Sequence, residues 1–147
     1  MAFPATQVAS TDPNTLDDYE EGTFLMTFGA DAAPTGVTYG DRTMRYVKIG
    51  RLVWFGGRFT LTSKGLSGGG GVALGALPFV PTDYAAVAIA RSSGHALTAG
   101  NHLSGVINSA GVIGLVQDGA SGTTDVTWAM VTNSFDFMIS GFYLAAA

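Results

Sequence analysis

The sequence predicts an all-β protein, an antiparallel β-sandwich or jelly roll of about eight or nine strands. Three observations carry this expectation. Apolar residues recur with a period of two in run after run, and no segment shows a capped 3.6-residue period. Glycine makes up 21 of the 147 residues and gathers with Ser, Asn, Asp and Pro between those runs, which is how short strands joined by turns are punctuated. The length suits a single domain, since domains most often run to ~100–150 residues.

Taken in order, residues 23–28 alternate and place Phe24, Met26 and Phe28 on one face. Residues 45–49 alternate too, with Val47 and Ile49 sharing a face. Gly50-Arg51 then separates two β runs by the two residues of a hairpin turn. The return strand, 52–62, puts Val53, Phe55, Gly57, Phe59 and Leu61 on a core face and Trp54, Arg58, Thr60 and Thr62 on the other. Residues 65–71 read as a flexible glycine loop. They are not a phosphate cradle, because no helix with Lys and Ser or Thr follows. Further strands are expected at 72–74, 85–90, 103–108, 112–117, 126–131 and 135–144. The last is apolar on both sides, with Phe135, Phe137, Ile139 and Tyr143 on one face and Met138, Phe142 and Leu144 on the other. A strand apolar on both faces is covered on both. Trp54, Arg58, Met138, Phe142 and Leu144 are therefore expected at an interface between copies.

Composition agrees. Charged residues are 12% of the chain, about half the ~25% of an ordinary domain. The surface must be coated in small polar residues or buried against other copies. The acidic balance, net charge −4, argues against nucleic acid, which needs a basic face. No apolar run approaches ~18 residues, so no membrane insertion is expected, and the first residues lack the basic start and apolar stretch of a signal peptide. The absence of cysteine excludes disulfides and thiolate chemistry.

Charge is sharply segregated. Residues 1–41 carry seven acids and no base, and residues 42–64 carry six bases and no acid. Salt bridges are expected between Asp17, Asp18, Glu20 and Glu21 and the arginines Arg42, Arg45 and Arg51, within a chain or between chains.

Catalytic constellations are missing. His95 and His102 lack the further ligands a zinc site needs, and no nucleophile elbow is present. The run Asp17-Asp18-Tyr19-Glu20-Glu21 lacks calcium-loop spacing, and neighbouring carboxylates in a turn do not face each other across a sugar ring. No enzyme activity, metal or cofactor is expected. Tyr39, Trp54, Tyr84 and Trp128 are candidates for exposed rings, which can lie on the apolar face of a sugar while polar neighbours take its hydroxyls. The candidate glycan-binding set is Tyr84, Asn101, His102, Asn108, Gln117, Asp118 and Trp128.

NTLDDYEEGTF (14–24) resembles the opening of a domain found in tailed-bacteriophage fibre and tailspike proteins, which usually reads DYEEGTW or DYEEGTF. The resemblance continues through GVTYGDRTMRYVKIGRLVWFGGRFTLTSKG (36–65), ALPF (76–79) and MISGFYLA (138–145), with Met44 where a glycine is usual. It implies a β-sandwich that assembles as a homotrimer on the virion and contacts host-surface polysaccharide. Residues 16–147 would form this fibre-tip domain. Residues 1–15 are expected to be an extended arm docking to another virion protein. A capsid decoration or head fibre is the alternative role, and a polysaccharide-degrading enzyme ranks last.

Overall fold

A computed structural model of the chain describes residues 19–146. The expected arm at 1–15, together with Asp17 and Asp18, lies outside the described residues. Eleven strands follow in order: β1 (Tyr19–Leu25), β2 (Thr27–Ala32), β3 (Thr38–Asp41), β4 (Thr43–Ile49), β5 (Leu52–Ser63), β6 (Gly69–Gly75), β7 (Ala85–His95), β8 (His102–Ile107), β9 (Ile113–Gly119), β10 (Gly122–Asp125) and β11 (Val131–Leu144). The hairpin joining β4 and β5 turns at Gly50, whose φ of +57° suits a residue without a Cβ.

All the pairings are antiparallel, in the order β1-β4-β5-β11-β7-β8-β9-β6-β2, with β10 on β9 and β3 on β5. The path starts on β1 and ends on β2, and these are consecutive in the chain. Only Met26 separates them, fully buried, with its N–H donating to the Arg42 carbonyl at 2.9 Å. One continuous segment thus pairs β4 with its first half and β6 with its second. The antiparallel all-β class is as expected, but the layers form one sheet curled into a flattened barrel.

The period-2 faces explain the core. Val53, Phe55, Phe59 and Leu61 of β5 are buried, as are Phe135, Phe137, Ile139 and Tyr143 of β11 and Met26 and Phe28 around the bend. Phe59 stacks on Phe137 with centroids 5.2 Å apart, and Phe137 meets Phe135 at 4.9 Å. Each such pair adds ~0.5–1.5 kcal/mol beyond the area it buries.

Two expectations change. The 126–131 strand is replaced by a three-residue 3-10 turn, Trp128–Met130, between a buried Val126 and the start of β11. The cause is tertiary: the Lys64 ammonium donates to the carbonyls of Trp128 (3.0 Å) and Val131 (2.6 Å), pulling that backbone towards the end of β5. The expected glycine loop is in part a strand. Gly69 pairs with Ala32, and Gly71 bridges to Thr127 and donates its N–H to Asp31 at 2.8 Å. On β4, Val47 and Ile49 share a face as expected; it is the outward one, with Trp54 and Leu52 as register partners, and Met44 and Tyr46 face the core.

The register also orients the molecule. Tyr19, Ile49, Leu52 and Leu144 share one level, and Ala145 bridges to Pro81, so the described chain enters and leaves at the same end. The opposite end carries the turns at 33–37, 64–68, 96–101, 120–121 and 127–130.

Candidate functional site

The end remote from Tyr19 collects Asn101, His102, Gln117, Asp118 and Trp128. Alternation of β9 buries Ile113, Leu115 and Gln117 on one face, and Gln117 is 2% exposed. Its Oε1 accepts from the Thr98 N–H (2.8 Å) and from Asn101 Nδ2 (3.3 Å), and its amide faces Met130 Sδ at 3.7 Å. Gln117 is therefore corrected from a sugar-contact candidate to an interior group that holds the 96–101 loop in place.

Asp118 points to the other side. Each carboxylate oxygen accepts a hydroxyl bond, one from Ser104 and one from Thr123. The Ser104 hydroxyl, then the Thr123 hydroxyl, hold this carboxyl below its ordinary range, and His102, opposite it in register, works in the same direction. This leaves an ionised carboxylate ringed by Ser104, Thr123 and an exposed His102, on a sheet surface extended by the exposed threonines of β10.

Trp128 is braced rather than free. It packs on Phe28 (5.8 Å), lies over Gly68 and carries Lys64 Nζ 4.9 Å above its ring. A Cβ at Gly68 would stand 2.6 Å from Trp128 Cε2, so only a glycine admits the indole there. Tyr39 is occupied likewise, edge-on to Phe59, with its oxygen accepting the Phe28 N–H at 3.0 Å. Tyr84, at 70% exposure, is the freely exposed ring of the four expected.

Tyr84 and Asn108 are not brought to this cluster. They lie at the end of the barrel where the chain enters, and Asn108 Oδ1 caps its own turn by accepting from Ala110 and Val112, each at 3.0 Å.

A second feature is the outward face of β1, β4, β5, β11 and β7. In register across it lie Tyr19, Ile49, Leu52 and Leu144 at one level, then Glu21, Val47, Trp54 and Phe142, then Thr23, Arg45, Gly56, Ser140 and Ala88. Met138 follows beside Arg58 and Ala90. Phe142 is 57% exposed, Leu144 53% and Met138 47%. The five residues expected at an interface thus do share one face. Arg58 is already engaged within the chain, forming a bidentate pair with Asp136 at 2.8 and 2.9 Å. Ile49, Leu52 and Ala88 belong to the same face and were missed. For Ile49 and Leu52, the alternation with Val47 and Trp54 was the available signal.

Glu20 and Glu21 of the acidic segment meet tyrosines within one copy. Glu20 accepts from Tyr46 Oη and Glu21 from Tyr19 Oη, both at 2.7 Å. Arg42 stacks 4.3 Å over Tyr39, and Arg51 donates to the Ala145 carbonyl at 2.9 Å. Among the described residues these arginines and Arg45 form no ion pair with Glu20 or Glu21.

No protein-family model matches the chain, and no curated protein matches it. A solved structure does. The Dettilon tailspike protein superposes with a TM-score of 0.70 at 13% identity over 85% of this chain. The chain spans 23% of the length of that protein, so the likeness is to a part of it. At this identity the likeness shows a shared fold.

Proposed function

We propose that the chain is a non-catalytic structural module of a phage virion, assembled as a homotrimer, whose end remote from Tyr19 contacts host-surface glycans. The observation that carries this is the bipolar layout of a fold shared with part of a tailspike. The described termini lie at one end, and Asn101, His102, Asp118 and the threonines of β10 lie at the other. A module attached through its N-terminal arm would present the second group outward.

The apolar outer face supports the assembly. Monomeric proteins seldom expose a contiguous patch of this kind, and a closed ring of copies would cover it and stop growth. The non-catalytic reading draws support from two of the carboxylates. Asp118 and Asp136 are both held below their ordinary range by donors, which suits neither to serve as a proton-giving acid. The test is adsorption competition. Purified protein should bind host cells and protect them from the phage that carries it, and no sugar should be released from the host polysaccharide. Failure to bind would remove the receptor role, and sugar release would make the chain an enzyme.

Capsid decoration is the second reading. The inward engagement of Gln117, Asn108 and Trp128 favours it, because those groups are spent on the loops themselves.

A further inference from the structure

The outer face carries a charge that the described residues do not answer. Arg45 of β4 is exposed and stands between Thr23 and Gly56 in register, with Ser140 beyond. It lines a shallow depression of about 530 Å³ with Glu21, Thr23, Val47 and Trp54. Among the described residues Arg45 has no hydrogen-bond or ion-pair partner. Covering such a guanidinium with apolar surface alone leaves an uncompensated buried charge, which is strongly unfavourable. Glu21 lines the same depression and accepts from Tyr19 Oη, so a second carboxylate on the covering surface would complete the pairing of Arg45.

Four carboxylates lie on or beside this face among the described residues, and one of them, Asp41, is in register with Thr60 and accepts the Thr43 N–H at 3.0 Å. Asp136 is held bidentate by Arg58 and also accepts from Thr60. Glu21 accepts from Tyr19 Oη and lies on the same margin as Arg45. Asp83 lies beside the opposite margin, just before β7, and is exposed. Its Oδ1 accepts the Tyr84 N–H at 2.7 Å, and it borders a depression of about 360 Å³ lined by Leu52, Tyr84, Phe142 and Leu144. One margin thus carries a cation and the other an anion, each beside an apolar hollow.

We propose that copies of this chain associate head to tail across this face, with Arg45 of one copy paired to Asp83 of the next. The proposal rests on the self-association reading above and adds the direction and the pairing. A heterologous contact sets one margin on the unlike margin of the next copy, pairs Arg45 with Asp83 once per interface and closes into a ring when its rotation allows, whereas a two-fold contact of the faces would pair them twice. The homotrimer proposed above requires the heterologous form.

The test is a charge swap. Arg45→Asp, Asp83→Arg and the double variant are compared with the parent by light scattering and native mass spectrometry over a dilution series. Melting curves check that the exposed substitutions leave the fold intact. Each single reversal is expected to weaken assembly by at least about tenfold, and the double variant to regain most of the loss, as close charge pairs do across interfaces. A parent that stays monomeric at every concentration overturns the self-association reading itself. A parent that assembles, with singles that match it or a double variant no better than the singles, overturns the Arg45–Asp83 pairing alone.

Discussion

Placing a carboxylate at Phe142 should dissociate the proposed assembly without unfolding the barrel. Phe142 points outward from β11, opposite Trp54 of β5, and is 57% exposed in the single chain. An aromatic side chain buries about 150–250 Å² when fully covered, so roughly 85–140 Å² of this one is left for a partner. At ~25 cal/mol per Å² that area contributes about 2–3.5 kcal/mol per copy to association. Its loss alone weakens assembly about 30- to 300-fold, and an unpaired Asp in a covered apolar contact adds a further penalty. The cost to the isolated barrel is small, because the ring leaves the core face of Phe137, Ile139 and Tyr143 untouched. The assay is molar mass by light scattering over a dilution series, with circular dichroism as the check on folding. Phe142→Asp should run as a folded monomer where the parent is assembled. A variant with the parent's mass and the parent's dilution curve would refute the claim that this face is an interface.

Other consequences follow from single contacts. Gly68→Ala drives a methyl into the Trp128 ring and should destabilise by ~1–3 kcal/mol, as overpacking does, with a shift in tryptophan emission. A melt and emission spectrum identical to the parent's would show that the indole can move aside freely. Asp118, held down by Ser104 and Thr123, and Asp136, held down by Arg58, have folded values below their unfolded ones. Their stabilisation is present above about pH 4 and is lost as pH falls through the folded values, so melting temperature should drop below about pH 4. Asp118→Asn should flatten that drop. Tyr143 is pushed up to about 12 by burial, so its contribution is intact below about pH 10 and is lost as pH rises from there towards 12. Tyr19 and Tyr46 are raised as well, by their hydrogen bonds to Glu21 and Glu20, so spectroscopic titration should show Tyr143 as the last phenol to ionise, and that latest step should vanish in Tyr143→Phe.

Much of the barrel can be read from alternation alone. Phe24, Met26 and Phe28, the β5 core face and both faces of β11 sit where a period of two places them, because one buried face specifies register strongly. What alternation misses is set by contacts distant in sequence. The 3-10 turn at Trp128–Met130 depends on Lys64 reaching across to two carbonyls, and the strand character of Gly69–Gly71 depends on partners at Ala32, Asp31 and Thr127. Nothing local in the sequence signals either. The candidate site was partly legible. Residue types picked out a polar group, and Asn101, His102 and Asp118 do converge. Gln117 was misread although its step of two from Ile113 and Leu115 already placed it inward. Tyr84 and Asn108 were grouped with residues from which the strand order separates them by the length of the barrel.

The account's central claim is an orientation: attachment near Tyr19, and His102 and Asp118 facing outward. A cryo-EM reconstruction of the particle that carries this protein tests it most directly. The account predicts trimers at the tail periphery, with the Tyr19 end against a virion protein and the His102–Asp118 end towards solvent. Copies set on the capsid shell, or with the His102–Asp118 end buried against the particle, would contradict it.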